Sequence, residues 1–273
     1  MRHLIRLDDW APAGLEAVVA LADAYARGAG PTTNGCAAMF FPPTSLRTRV
    51  SFERGAELMG LQPIVLPADT LDKPEALGDV AGYLAPWVDV LVVRHPAIRV
   101  LDGLAESGVL PVINAMTDEN HPCEVLSDLY TLGQDHEIRG LRFVFVGPDG
   151  NLSRAWAEAA RAFDLDLVQC CPDELAMPGC RWSGDVRSAV RDADVILTDG
   201  PGAHAEAMAP FTITAELLAL APAAVKLAPV PPFARGREVS AEAVAGPAFV
   251  GYGFKASLLP VQQAVMAYAL GLG

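Results

Sequence analysis

Residues 40–60, FFPPTSLRTRVSFERGAELMG, run from an apolar strand through a short polar loop into an amphipathic helix. Ser45, Arg47, Thr48 and Arg49 fall within five positions at the start of that helix. Unpaired backbone amides at a helix N-terminus bind anions, and hydroxyl and guanidinium groups add further donors. The stretch predicts a small-anion site, with phosphate as its natural occupant. The alternative is a surface turn whose arginines pair with Glu53 or Glu57.

The same alternation of buried strand and amphipathic helix extends along the first half of the chain. Such alternation predicts an α/β fold with a parallel sheet covered on both faces. The predicted helices are 15–25, 50–59, 77–84, 100–107 and 122–132, and the predicted strands are 37–41, 63–66, 88–93 and 111–114.

A second strand and helix series begins near residue 141, after a junction at 133–140. Its predicted strands are 141–147, 165–171, 195–198 and 224–227, and its predicted helices are 153–163 and 186–191. We therefore predict two α/β domains, residues 1–134 and 135–255. The closing helix, within residues 256–273, is expected to pack back on the first domain.

Two further residues in the first half fall where parallel sheets bind ligands. Arg94 follows the apolar run VLVV, and His121 opens a helix after the strand at 111–114. Ligands of open α/β sheets bind at the carboxyl ends of the strands, so both side chains are candidates for the anion site. Taken singly, each residue is better explained by a structural role, Arg94 as a solvated strand end and His121 as a helix cap or a hydrogen-bonded histidine.

The second half opens with VFVGPDGNLSRAW, a strand and helix joined by a glycine-containing turn. This resembles a dinucleotide-binding unit, but the turn lacks the full G-x-G-x-x-G and the next strand ends LVQCC, without an acidic residue. A nicotinamide enzyme is the weaker alternative. Arg154, in the first turn of this helix, could bind a carboxylate, or it is an ordinary exposed helix charge.

Composition limits the partners of the chain. A formal charge of −13 disfavours nucleic acid and anionic membranes, so any anion site must be local. The N-terminus lacks an apolar signal-peptide core, and no apolar run reaches the length of a membrane helix, which predicts a cytoplasmic protein. The five cysteines form no CxxC pair and no zinc-like spacing, so neither a disulfide framework nor a metal is expected.

Taken in order, these motifs resemble the aspartate/ornithine carbamoyltransferase family. The family sequence S-T-R-T-R followed by V-S-F-E corresponds here to SLRTRVSFE, residues 45–53. LVVRHP and HPCEVLSDLYTL match the next two family motifs, and the N-terminal MRHLIRLDDW is similar to the opening of the ornithine enzymes. The resemblance covers nearly the whole chain and is strongest before residue 132.

The resemblance implies transfer of a carbamoyl group from carbamoyl phosphate to a small amine, without metal or organic cofactor. It implies two Rossmann-like domains, one for carbamoyl phosphate and one for the acceptor, with the active site in the cleft. By resemblance, Ser45, Arg47, Thr48 and the amide of Leu46 hold the phosphate. Thr48, Arg94 and His121 polarise the carbamoyl oxygen.

The segment DTLDKPEAL also has a family counterpart. Lys73 aligns with the lysine that aspartate carbamoyltransferases send into a neighbouring subunit's site, where the family reads K-G-E-S-L. This implies a homotrimer with shared active sites. A simple exposed loop is the alternative for a lysine beside Pro74.

The donor half of the family pattern is kept, with Leu46 in place of the second residue of S-T-R-T-R and one change at HPxQ. The glutamine of the family's HPxQ is Glu124, which brings a negative charge near a dianionic substrate. We expect Glu124 to be protonated there or balanced by Arg94 or Lys73.

The acceptor half departs more from the ornithine branch. The H-C-L-P motif is replaced by APVP, so only a backbone contact to the carbamoyl NH₂ carries over, to Pro229 and Val230. The signature D-x-x-x-S-M-G keeps Asp199 but loses its serine and methionine, and Q-A-E-N-R becomes KASLL from Lys255.

The sequence therefore predicts a carbamoyltransferase whose acceptor is amino-acid-like but atypical, ornithine-like or aspartate-like. Asp199 is expected to orient the acceptor amine, and Arg154 or Arg235 its carboxylate. The alternative is a non-catalytic paralogue that serves as a binding or regulatory subunit, since Glu124 is altered and the C-terminal arginine is lost.

Overall fold

A computed structural model describes residues 1–272 of the chain. The chain divides into two compact units, one made of residues 1–134 with 255–272 and the other of residues 135–254. Both are α/β, as predicted from the alternation of strands and helices.

The first unit is built on a four-stranded parallel sheet of order β2-β1-β3-β4. Leu4 extends this sheet beside β4 through a parallel bridge to Ile113. The strands are β1 Cys36–Phe41, β2 Gln62–Pro67, β3 Val90–Arg94 and β4 Val112–Met116. The helices are α1 Pro12–Ala26, α2 Arg47–Leu58, α3 Leu77–Leu84, α4 Ile98–Glu106 and α5 Pro122–Gly133.

The strand order reverses between β1 and β3. The chain leaves β1 toward β2 through α2, then returns to the other side of β1 to form β3. The connections that follow β1 and β3 therefore diverge and open a crevice at the carboxyl edge, which is where open α/β sheets bind ligands. Helix α2 begins at Arg47, three residues before the apolar pattern predicted, so the polar motif itself forms the first turn.

The closing helix α11, Leu258–Leu270, belongs to the first unit. It packs against α1, α2 and α5 and is buried on most of its surface. Where α11 meets α2, the Gln263 side chain lies so close that a Cβ on Gly55 would come within 3.1 Å of it. The Gln263 amide also donates a hydrogen bond to the Gly55 carbonyl, 3.2 Å away. The C-terminus therefore completes the core of the unit that the N-terminus begins.

The second unit has a five-stranded parallel sheet of order β7-β6-β5-β8-β9. Its strands are β5 Arg142–Val146, β6 Asp166–Cys170, β7 Trp182–Ser183, β8 Val195–Thr198 and β9 Lys226–Pro229. Its helices are α6 Asn151–Phe163, α7 Val186–Ala189, α8 Ala205–Met208, α9 Ala215–Leu218 and α10 Ala241–Ala245.

This second sheet reverses its order between β5 and β8. The turn after β5 and the segment after β8 thus border a second crevice at the carboxyl edge, by the same rule. Within residues 1–272, every helix falls short of the length and apolar character that a membrane span requires.

Candidate active site

The polar side chains that follow β1 and β3 meet at the crevice of the first sheet. Arg94 Nη1 lies 3.3 Å from Ser45 Oγ and 3.5 Å from Thr48 Oγ1, and it donates to both. Ser45 and Thr48 are buried, and Arg94 is half-buried at the point where the pairing of β3 with β4 becomes irregular. The structure therefore brings together residues that sequence analysis grouped by their position after strands and by the family resemblance.

Helix α2 presents its N-terminus at the same place. Its N-cap residue is Leu46, and no side chain caps the helix. The first backbone amides of a helix have no intrahelical partner and carry the positive end of the helix dipole. These amides, with the buried hydroxyls beside them, form a candidate anion site in a chain that is acidic overall.

The two arginines of the motif have different surroundings. Arg49 Nε lies 2.5 Å from Glu53 Oε1, the pairing that the surface-turn alternative predicted. Arg47 is exposed and forms no ion pair among residues 1–272, yet its charge acts on Arg94 and Glu124. Arg47 is accordingly the arginine of this pair that can bind an anion.

His121 is buried at the N-cap of α5. Burial lowers its pKa to about 4, and the nearby charge of Glu124 only partly opposes this shift. The imidazole is therefore neutral at pH 7 and carries a single N–H donor. A neutral imidazole can still polarise a carbonyl oxygen by donating that hydrogen.

A cationic partner for Glu124 was missed by sequence analysis. Lys255 Nζ lies 2.7 Å from Glu124 Oε1 and 2.5 Å from Asp128 Oδ1. Both carboxylates lie on α5, one turn apart, and all three side chains are largely withdrawn from solvent. The sequence signal was Lys255 itself, at the position where the family's C-terminal motif begins, but nothing local links it to α5.

The expectation named Arg94 or Lys73 as the cation that balances Glu124, whereas in the structure Lys255 pairs with it directly. Burial is the largest single influence and acts to raise the pKa of Glu124, but the Lys255 ammonium, together with His121 and Arg47, lowers the pKa overall. Glu124 is thus ionised, not protonated. Its effect on Arg94 is secondary, since burial is the main influence on the pKa of that guanidinium.

Asp128, unlike Glu124, is shifted toward its protonated form. Burial raises its pKa to about 7, although Lys255 opposes the shift. The two carboxyl groups therefore share one cation, and Asp128 also holds a proton below about pH 7. The cluster of Glu124, Lys255 and Asp128 is close to electrically neutral in that state, which limits its repulsion of a bound anion.

Lys73 lies apart from these groups. It is exposed, directly after the 3₁₀ helix Ala68–Asp72, and its side chain forms no ion pair or hydrogen bond within residues 1–272. The preceding Asp72 is held by the buried His95, whose Nε2 lies 3.0 Å from Asp72 Oδ1. The base of the Lys73 loop is therefore anchored.

In the second unit, Asp199 follows β8 and borders a cavity of about 100 Å³ at the crevice of that sheet. Val146, Met208, Phe211 and Glu238 also line this cavity. Asp199 Oδ1 accepts a hydrogen bond of 2.7 Å from the Gly200 amide, which orients the carboxylate. The cavity combines apolar walls with the carboxylates of Asp199 and Glu238 and the guanidinium of Arg237, so it offers groups of both charges to a small polar molecule.

The other predicted acceptor and carbamoyl contacts are placed as follows. Arg154 is held by both oxygens of Asp149, at 2.7 and 3.0 Å. Arg235 is exposed, lies over the Phe233 ring and donates to the Tyr252 hydroxyl at 3.3 Å. Pro229 ends β9, and Val230 follows it, donating its amide to the Thr198 carbonyl at 3.0 Å.

Comparison with known proteins agrees with this arrangement. Residues 2–134 match the family model described as aspartate/ornithine carbamoyltransferase, carbamoyl-P binding domain. An ornithine carbamoyltransferase of Chromohalobacter salexigens is 33% identical over 98% of this chain and 97% of its own length. The chain belongs to the aspartate/ornithine carbamoyltransferase family.

Further relatives place the chain in the ornithine branch of the family. An ornithine carbamoyltransferase of Methylococcus capsulatus is 34% identical, with 98% of each chain covered. The crystal structure of the Burkholderia thailandensis ornithine carbamoyltransferase superposes with a TM-score of 0.91 at 27% identity over 99% of each chain. The Pyrococcus furiosus enzyme gives 0.91 at 27% identity, over 99% of this chain and 97% of its own. This protein is accordingly a carbamoyltransferase, with the two Rossmann-like domains of its family.

Asp128 gives the cluster a pH dependence that stability measurements can detect. Its pKa is about 7 in the folded protein against an ordinary value of 3.8, so the folded state binds more protons between these values. The stabilisation is fully present below pH 3.8 and is lost as pH rises to about 7. We expect the free energy of unfolding of wild type, minus that of Asp128→Asn, to fall from pH 4 to pH 7 and then level off. Urea unfolding across this range measures it, and a difference that rises or stays constant would contradict the assignment.

Proposed function

We propose that this carbamoyltransferase binds carbamoyl phosphate in its first unit and transfers the carbamoyl group to the amine of a small amino-acid-like acceptor bound by its second unit, releasing phosphate. The observation that carries the proposal is the contact of Arg94 with Ser45 and Thr48 at the uncapped N-terminus of α2. Backbone, hydroxyl and guanidinium donors converge there.

The phosphate is held by donors of the first turn of α2. In this proposal Ser45, Arg47, Thr48 and the Leu46 amide bind its oxygens. The helix dipole adds a favourable interaction with the same negative charge. These donors also stabilise the leaving phosphate, whose charge grows as the bond to the carbamoyl carbon breaks.

The carbamoyl oxygen is polarised by Thr48, Arg94 and His121. An amine attacks the carbonyl carbon, and negative charge develops on that oxygen in the tetrahedral transition state. Fixed donors aimed at the developing charge lower the barrier, and loss of one such donor typically costs about 3–4 kcal/mol, a factor of about 10²–10³ in rate. The departing phosphate is a suitable acceptor for the amine proton, so the proposal requires no dedicated protein base.

Arginines 47 and 49 offer a matched pair for testing the phosphate site. Arg47→Ala removes an exposed arginine that forms no ion pair within residues 1–272, so we expect the affinity for carbamoyl phosphate to fall by at least about tenfold, since a hydrogen bond to a charged group contributes about 1.5–3 kcal/mol. Arg49→Ala removes the arginine already paired with Glu53, and we expect a change of less than about threefold. Isothermal titration with carbamoyl phosphate measures both. Absence of binding by wild type, or equal binding by wild type and Arg47→Ala, would refute the proposed donor site.

We further propose that the acceptor differs from ornithine, although the relatives named above are ornithine enzymes. The loop after β8 keeps Asp199 but has Ala203 and His204 where the ornithine signature D-x-x-x-S-M-G has serine and methionine. Asp199 is proposed to orient the acceptor amine. For the acceptor carboxylate, Arg235 is the better candidate, because Arg154 is already held by Asp149.

A panel of amines tests the acceptor proposal. We expect phosphate release from carbamoyl phosphate to be fastest with an amine other than ornithine, because the side chains that complete an ornithine site are missing. The panel includes ornithine, aspartate, shorter and longer diamino acids, and simple amines at equal concentration. Turnover that is highest with ornithine would show that the altered loop does not change specificity.

The oligomer proposed for this enzyme is a homotrimer in which Lys73 acts in a neighbouring subunit's site. Two observations support this proposal. Lys73 is exposed on a loop whose base is anchored. The apolar side chains of Leu46 and Val50, at the start of α2, and of Ile64, on the edge strand β2, are also exposed and would be covered by a neighbouring subunit.

Lys73 has a direct test in this proposal. Lys73→Ala should lower kcat/KM for carbamoyl phosphate by at least about tenfold, since a charged contact to a bound anion is lost. The mass of the oligomer in solution should stay the same. Analytical ultracentrifugation should give three times the mass of one chain for both proteins. A monomer, or full activity of Lys73→Ala, would remove the shared site.

A further inference from the structure

The Glu124 carboxylate presents its two oxygens to different neighbours. Oε1 lies 2.7 Å from Lys255 Nζ, whereas Oε2 lies 3.9 Å from His121 Nε2, beyond hydrogen-bond distance. Lys255 is thus on one side of the carboxylate and the candidate carbamoyl-binding residue His121 is on the other. The orientation of Glu124 is fixed by an ion pair that lies on the far side from the candidate substrate site.

The Glu124 carboxyl group accepts hydrogen bonds with both of its oxygens only when it is ionised. The carbamoyl NH₂ group of carbamoyl phosphate has two N–H donors and therefore needs acceptors. An ionised carboxylate is an acceptor only, whereas a protonated acid would direct its own O–H donor at one of them. A buried carboxylate without a cation tends to be protonated, because burial disfavours the charged form.

We propose that Lys255 is a positioning residue for the carbamoyl group, which seats the ionised Glu124 so that its outward oxygen accepts hydrogen bonds from the carbamoyl NH₂. The inference rests on the proposed function and deepens it. Lys255 does not touch the substrate, and it acts through Glu124. It also neutralises the charge that Glu124 brings beside a dianionic substrate, and Asp128 completes its coordination from the next turn of α5.

Asp128 is the second anchor that keeps Lys255 in place. Its Oδ1 atom lies 2.5 Å from Nζ, and the residue is fully buried. An isolated buried lysine would be costly, and here the ammonium is held by the Glu124 carboxylate and by the Oδ1 atom of Asp128. A neutral residue in place of Lys255 would therefore change the ionisation and orientation of Glu124. The positions of Ser45, Thr48 and the α2 amides would stay unchanged.

The test compares two ligands that share a phosphate-like group but differ in the carbamoyl NH₂. Phosphonoacetamide carries that NH₂, whereas inorganic phosphate lacks it, and neither requires the acceptor to be known. By isothermal titration, we expect Lys255→Met to bind phosphonoacetamide at least about tenfold more weakly than wild type. Phosphate should bind within about threefold of wild type, because its donors lie on α2. Lys255→Arg keeps the charge and should restore most of the phosphonoacetamide affinity.

A second background keeps the test valid if Lys255→Met does not fold. Glu124→Gln removes the negative charge that pairs with Lys255. In that background, Lys255→Met should change the phosphonoacetamide affinity by less than about twofold. A tenfold loss in the Glu124→Gln background would overturn the proposal, because Lys255 would then act independently of Glu124. Equal phosphonoacetamide binding by wild type and Lys255→Met would overturn it too. Failure of wild type to bind phosphate would instead refute the proposed donor site.

Discussion

An anion can be held beside a buried sheet only where unpaired donors face it, and the uncapped first turn of α2 provides this condition. Backbone amides cannot be deprotonated and are fixed by the helix, so they bind negative charge without reorganising. Arg94 and the buried hydroxyls of Ser45 and Thr48 lie against this turn because β1 and β3 are neighbours at the point where the strand order reverses. The position of α2 therefore depends on the sheet order, and the anion site depends on the position of α2.

Glu124 raises a separate electrostatic problem, since a carboxylate beside an anion site would weaken binding. The structure resolves it within one unit by placing the Lys255 ammonium between Glu124 and Asp128. The two carboxyl groups then share one cation, and Asp128 also holds a proton below about pH 7. A lysine at the start of the C-terminal segment thus accommodates a carboxylate on α5 where the family has an amide. The C-terminal segment therefore contributes to the candidate site as well as to the core.

Much of the fold was predictable because strands and helices leave periodic apolar patterns. The helix at 77–84 and the strand at 195–198 were predicted at their observed bounds. The start of α2 was wrong by three residues, since its polar first turn carries no apolar signal. Strand β7, with two residues, and helices α8 and α9, with four each, were missed because they are too short for a pattern to repeat.

The candidate site was likewise predictable only in part. Arg94 and Thr48 could be grouped because carboxyl ends of parallel strands share one edge. The contact of Lys255 with Glu124 could not be predicted, because only the packing of the C-terminal segment on α5 brings them together.

A crystal structure of the protein with phosphonoacetamide would test the proposed anion site most directly. We expect phosphonate oxygens about 2.7–3.1 Å from Ser45, Thr48 and the amides of the first turn of α2, with the carbonyl oxygen facing Arg94 and His121. The amide nitrogen should lie beside Glu124. A phosphonate bound away from α2 would show that the uncapped helix N-terminus is not the anion site.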